Sequence, residues 1–192
     1  VVGGLITQGS DAIRRHRAST RDKLYLAIIV SAELEKFVDG CWEVSCDDGT
    51  YMGQPAGREG TYEAQSTNPK FDPHSIDVEW KLLHSALLAR IWSLPGLISD
   101  ANGRAHAEFE HSSWPYDNSA LGVRSYEYEQ LGIAAAEISI ALRKSQKLPK
   151  MREGLSEIVG RMRERVQDYE KKIAEFNRRH EEWLANSQKA PD

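Results

Sequence analysis

Residues 155–183 read LSEIVGRMRERVQDYEKKIAEFNRRHEEW. Apolar or aromatic side chains recur there at alternating steps of four and three: Leu155, Val159, Met162, Val166, Tyr169, Ile173, Phe176, His180 and Trp183. Steps that average 3.5 residues keep a single stripe on one face of an α-helix, which is the mark of a heptad seam. Val159, Val166, Ile173 and His180 take the a positions. Leu155, Met162, Tyr169, Phe176 and Trp183 take d. Three acid-first pairs four residues apart, Glu157–Arg161, Asp168–Lys172 and Glu175–Arg179, add about 0.2–0.5 kcal/mol each to a helix. The pattern predicts one long coiled-coil-like helix within residues 150–187. The d side chains are bulkier than the leucines usual in a parallel pair. They suit a groove on the protein's own domain or on a partner as well as a second copy of the seam. Placing His180 at a core position also predicts that contact through this stripe weakens below about pH 6, because burial disfavours the imidazolium.

Working back from this helix, the rest of the chain is also helical in pattern. Leu121, Tyr128, Leu131, Ala135, Ile138 and Leu142 stay in phase over residues 118–145, and Ala134-Ala135-Ala136 permits close approach of a neighbour. Leu87, Leu88, Ile91 and Trp92 begin a helix near Ser85 that Leu97, Ile98, Ala101, Ala105 and Phe109 carry on to about His111. Pro95 falls inside it, where a missing N–H and a ring clash predict a kink or a break. Leu24, Ala27, Ile28, Leu34, Val38, Cys41 and Trp42 define a first helix over residues 11–44. Between lies a stretch, 47–75, rich in Gly, Pro, Ser, Thr and Asn, which reads as a long loop with room for a short hairpin near Thr61-Tyr62-Glu63. The fold expected is all-α: a bundle of three long helices, one kinked at Pro95, plus the C-terminal heptad helix. The helical domain spans 10–147.

Composition bounds the function. Residues 31–140 carry 7 basic and 18 acidic side chains, whereas 1–30 and 141–192 are net positive by three and four. So acidic a middle repels a nucleic-acid backbone and makes nucleic acid an unlikely partner. Cys41 and Cys46 have no second pair for a zinc site. Cys41 falls on the apolar stripe of the first helix, as a buried thiol does, and a reducing compartment is the default.

The opening residues 1–9 begin apolar, with Val1, Val2, Leu5 and Ile6, and Arg14, Arg15 and Arg17 soon follow. An apolar, glycine-containing stub ahead of clustered arginines resembles the cytoplasmic exit of a membrane anchor. The alternative is a frayed start of the chain. The arginines could flank an anchor, rest on an anionic membrane surface or touch nucleic acid, and the apolar stub favours the membrane readings.

Chemistry is sparsely marked. His106 and Glu110 lie four apart on one helical face, with Glu108 and His111 adjoining, which could begin a metal site. The spacing is generic, and a solvated helix face accounts for it. Asp47 and Asp48 read the same way, as solvated loop acids. There is no nucleophile elbow, metalloprotease helix or phosphate loop. No catalytic residue, cofactor site or metal site is therefore assigned.

Ser31-Ala32-Glu33-Leu34-Glu35-Lys36-Phe37-Val38-Asp39-Gly40-Cys41, Val78-Glu79-Trp80-Lys81-Leu82-Leu83, Leu88-Ala89-Arg90 and Ser93-Leu94-Pro95 resemble segments of a family of uncharacterised bacterial proteins. The likeness runs over about residues 1–145, excludes the heptad helix and brings no activity with it. It implies a short anchor, an arginine-rich helix and a small helical domain on the cytoplasmic face. The function expected is a membrane-tethered interaction or assembly module that uses the heptad helix to bind a protein partner or itself. The alternatives are a metal-dependent or hydrolase-like effector acting through His106 and Glu110, and a subunit of a larger complex. The place expected is the cytoplasmic face of a membrane, or the cytoplasm.

Overall fold

The computed structural model describes residues 3–113 and 115–187, with side chains from residue 19 onward except those of 185 and 187. Four helices dominate: α1 (Gly3–Ser45), α2 (Ser85–His111), α3 (Ser119–Ser145) and α4 (Glu153–Ser187). The all-α bundle expected from the periodicities is present. Two boundaries differ from expectation. α1 begins at Gly3, so residues 3–9 are the first turns of the same helix, and α2 runs across Pro95 without a break.

α3 is the centre. It packs against α1, α2 and α4, and its contacts fix the direction of each neighbour. Ser125 meets Ser45 and Arg143 meets Glu35 on α1; Arg104 of α2 meets Glu127 while Arg90 meets Glu137. Arg165 of α4 meets Glu129, and Met162 lies against Gly132. In every case residue numbers rise on one helix as they fall on the other. α1, α2 and α4 therefore all run antiparallel to α3 and parallel to one another.

A helix enclosed on three sides cannot keep a single apolar stripe. α3 buries residues around its circumference, from Leu121 and Tyr128 to Ala135, Ala136 and Leu142. Small residues let the neighbours approach. A Cβ on Gly132 would stand 2.8 Å from the Met162 Sδ and 3.1 Å from the Cys41 Cβ, so glycine here sets how closely α1, α3 and α4 converge. Asp117 starts α3 by accepting from the Ser119 N–H (3.0 Å) and hydroxyl (2.6 Å).

The stretch from 46 to 84 holds more order than a loop. A two-stranded hairpin, β1 (Thr50–Tyr51) and β2 (Gln54–Pro55), turns through Met52 and Gly53 at φ 50° and 78°, the two positive angles that a tight type I′ connection requires. It stands where the chain first leaves α1; Thr61-Tyr62-Glu63 is irregular. Short 3-10 turns follow at Pro73–Ser75 and Trp80–Leu82. Phe71 is buried against Phe37 of α1 (6.1 Å between ring centres), and the half-buried Trp80 packs edge-on against Trp92 of α2 (5.8 Å). The segment thus closes the groove that α1 and α2 leave open.

A buried polar knot fastens it. The side chains of Asp47 and Arg124 are 4% and 5% exposed, with Nη1 and Oδ2 at 3.1 Å. Asp47 Oδ2 also accepts from the backbone N–H groups of Gln65 and Ser66, both at 2.8 Å. Arg124 donates to the Ser66 carbonyl (2.8 Å) and the Asn68 side chain (2.8 and 3.0 Å). Burial alone would raise the Asp47 carboxyl; hydrogen bonds from Ser66, Gly49 and Arg124 hold it below its usual range. Asp47 is accordingly an anchor of the fold, where the sequence reading made it a solvated acid. The prediction erred because its partner lies 77 residues away.

Candidate functional site

The heptad seam is divided in two by the body it docks on. Leu155, Val159 and Met162 are fully buried in the core with Met151, and Val166 and Tyr169 are half-buried. Past Tyr169 every described side chain of α4 is exposed. Ile173 is 44% exposed, Phe176 62% and Trp183 61%, with Leu184 exposed beside them. His180, assigned to a core position from the sequence, is exposed and stacks along its own helix between Phe176 (6.2 Å) and Trp183 (6.0 Å). The stripe lies along one continuous helix; the first turn of α3 still runs level with Lys172, but past Tyr169 no described side chain of the stripe is covered. From there about 18 residues of α4, near 27 Å at 1.5 Å per residue, present only exposed side chains wherever these are described.

A charged junction marks the point of departure. Tyr169 stacks on Tyr126 of α3 (4.3 Å between ring centres, 25° between planes), and the Tyr126 hydroxyl donates to Glu170 Oε1 at 3.3 Å. One turn below, Arg165 Nε stands 2.6 Å from Glu129 Oε1, an ion pair without the alignment of a hydrogen bond. Arg165 also donates to the Ser45 carbonyl (2.7 Å) and the Ser125 hydroxyl (3.1 Å), and its guanidinium lies 5.7 Å from the Trp42 ring centre. Burial pushes the Glu129 carboxyl up to about 7, outweighing the opposing pull of Arg165 and Ser125. The Ser125 hydroxyl lies 2.8 Å from the Ser45 carbonyl, to which it can donate. Charges here join α1, α3 and α4 and hold α4 in line as it leaves. Nothing in the sequence pointed to the pair, since Glu129 and Arg165 read as ordinary polar positions of two separate helices.

The remaining candidates stay apart from this place. His106 Nε2 and Glu110 Oε1 are 3.4 Å apart on the exposed face of α2. Among the described residues no group of three or more His, Cys, Asp and Glu side chains is placed to hold a metal ion. Arg14, Arg15 and Arg17 belong to α1 but fall outside the residues whose side chains are described, as do Val1 and Val2 entirely. Among the described residues no helix is long and apolar enough to cross a membrane. Cys41 is buried, which raises its thiol well above the usual range, and Cys46 is exposed; both are free. No family model, no curated protein and no solved structure matches the chain.

Proposed function

We propose that this protein is an assembly module: a helical body that presents the outer half of α4 as a docking arm for a partner helix and is tethered at its other end to the cytoplasmic face of a membrane. The observation that carries the reading is the row Ile173, Phe176, Trp183 and Leu184, exposed along one face of the outer half of α4. Aromatic side chains gathered in this way are the usual anchors of protein interfaces, where they bury large area at little entropic cost. Their spacing suits an amphipathic helix, of a second copy or of another protein. Direction supports the tether. α1 and α4 run parallel, so the N-terminal half of α1 leaves the body at the end opposite the docking arm, and one chain can use both at once. The arginines at 14, 15 and 17, and the resemblance to membrane-anchored bacterial proteins, point the same way.

A photo-reactive phenylalanine at position 176 tests the docking arm in the producing cell. The expected result is a discrete cross-linked product of defined mass, lost when Ile173 and Trp183 are replaced by Ser, and absent when the probe sits at Glu182 on the polar face. The product's mass separates a second copy from another protein. No product from position 176, or an equal yield from 182, would contradict the reading. The tether predicts that the native protein fractionates with membranes and resists extraction by high salt.

A further inference from the structure

The turn that joins α3 to α4 breaks a local rule. α3 ends in a Schellman arrangement: the Leu148 N–H donates to the Arg143 carbonyl (2.9 Å), and residue 147 takes the left-handed conformation at φ 54°. Glycine is the residue that adopts this angle without strain, yet the position holds Lys147. A strained lysine on an exposed turn suggests that its side chain is used.

Its neighbours agree. From 138 to 152 the chain carries Arg143, Lys144, Lys147, Lys150 and Arg152 with no acidic residue among them. Arg143 is spent on Glu35, and Arg152 on Asp39, both of α1. Lys144, Lys147 and Lys150 are exposed, and none of them has an ion-pair partner among the described residues. The three surround a hollow of about 470 Å³ with an apolar floor formed by Ile140, Leu148 and Met151. By the antiparallel register of α1 and α3, the exposed Leu24, Tyr25 and Ile28 stand level with the end of α3 or just beyond it. Free cations, an apolar floor and exposed apolar side chains are therefore gathered at the end of the body from which the N-terminal half of α1 departs.

We infer that this corner is a peripheral binding surface for an anionic bilayer, with Lys144, Lys147 and Lys150 taking lipid phosphates and carboxylates and the apolar side chains entering the interface. Lysines close to an acidic leaflet are attracted over roughly a Debye length, and adjoining apolar residues add the interfacial term. A nucleic-acid backbone shares the charge but gains nothing from Ile140, Leu24 or Ile28. It would also meet the acidic segment 31–140. The surface is separate from the proposed anchor and does not depend on it.

The test is co-sedimentation of the whole chain with phosphatidylcholine vesicles with and without phosphatidylserine. Wild type should bind only the vesicles that contain phosphatidylserine, and less as salt rises. The triple variant K144Q/K147G/K150Q should lose binding by roughly a hundredfold, at about fivefold for each lysine near the surface. K147G alone relieves the strained angle, so it should melt at a higher temperature than wild type while binding about fivefold more weakly. That pairing separates a lost contact from a damaged fold. A variant R14Q/R15Q/R17Q distinguishes the two membrane ideas: if it alone loses binding while the lysine variant matches wild type, the turn is not the surface, although the arginine-led reading survives. Wild type that ignores phosphatidylserine, or that binds a DNA duplex more tightly than vesicles, would also overturn the inference.

Discussion

The inner and outer halves of α4 carry the same sequence pattern and have opposite fates. Leu155, Val159 and Met162 are sealed against α1 and α3, whereas Ile173, Phe176 and Trp183, set at the same heptad spacing, face solvent. Nothing in the local sequence separates them. The difference lies in the neighbours: α1 and α3 enclose the inner half. Past Tyr169 no described side chain of α4 is covered, although the first turn of α3 still runs level with Lys172. A heptad stripe therefore identifies a face that needs an occupant without saying which one. Burial of the stripe ends at Tyr169, where the chain's own core gives out.

The contrast is broken most sharply by mutation. Leu155→Ala should lower unfolding free energy by about 2–5 kcal/mol in urea denaturation, as truncation of a fully buried leucine does. A loss below about 1 kcal/mol would place the inner half outside the core. Next in size is the charged junction. Glu129 titrates at about 7 in the folded chain against 4.5 for a free carboxyl, so between those values the folded state holds a proton that the unfolded state has released. Stability should then fall as pH rises through that window, by no more than about 3 kcal/mol, and level off above it. Glu129→Gln should flatten this slope, which thermal melts between pH 5 and 8 would reveal. Gly132→Ala sharpens the comparison at the point where α4 is held closest. The new methyl collides with Met162 and Cys41, and about 1–3 kcal/mol should be lost. Smallest of all, Phe176→Ala should change the stability of the isolated chain by less than about 0.5 kcal/mol, although it removes a larger side chain than Leu155→Ala.

Periodicity made the helices legible because burial on one face repeats with the turn of the helix. Residues 118–145 and 151–186 were recognisable by it almost to their termini, and the run through Pro95 was legible as a helix whose continuity stayed open. Contacts between residues distant in the chain left no such trace. Asp47 reaches Arg124, and Glu129 reaches Arg165, across separations that no local pattern encodes. For that reason Asp47 read as a solvated acid and the stretch after it as a long loop with room for a short hairpin. The apolar row of the candidate site was visible in full, from Leu155 to Trp183. Its division was not, because that depends on how the neighbouring helices pack against α4 in space. The lysines at 144, 147 and 150 were equally in view, but only the fold brings them to one hollow and gives Lys147 its left-handed angle.

Hydrogen exchange along α4 in the isolated chain bears most directly on the division at Tyr169. Amides from Leu155 to Met162 should exchange only through opening of the bundle, over hours, while those from Ile173 to Leu184 exchange in seconds to minutes as a solvated single helix frays. Adding the docking partner, or raising concentration if that partner is a second copy, should slow the outer amides and leave the inner ones unchanged. Equal protection of both halves in a chain that sedimentation shows to be monomeric would contradict the account, since the outer stripe would then already be packed on its own body.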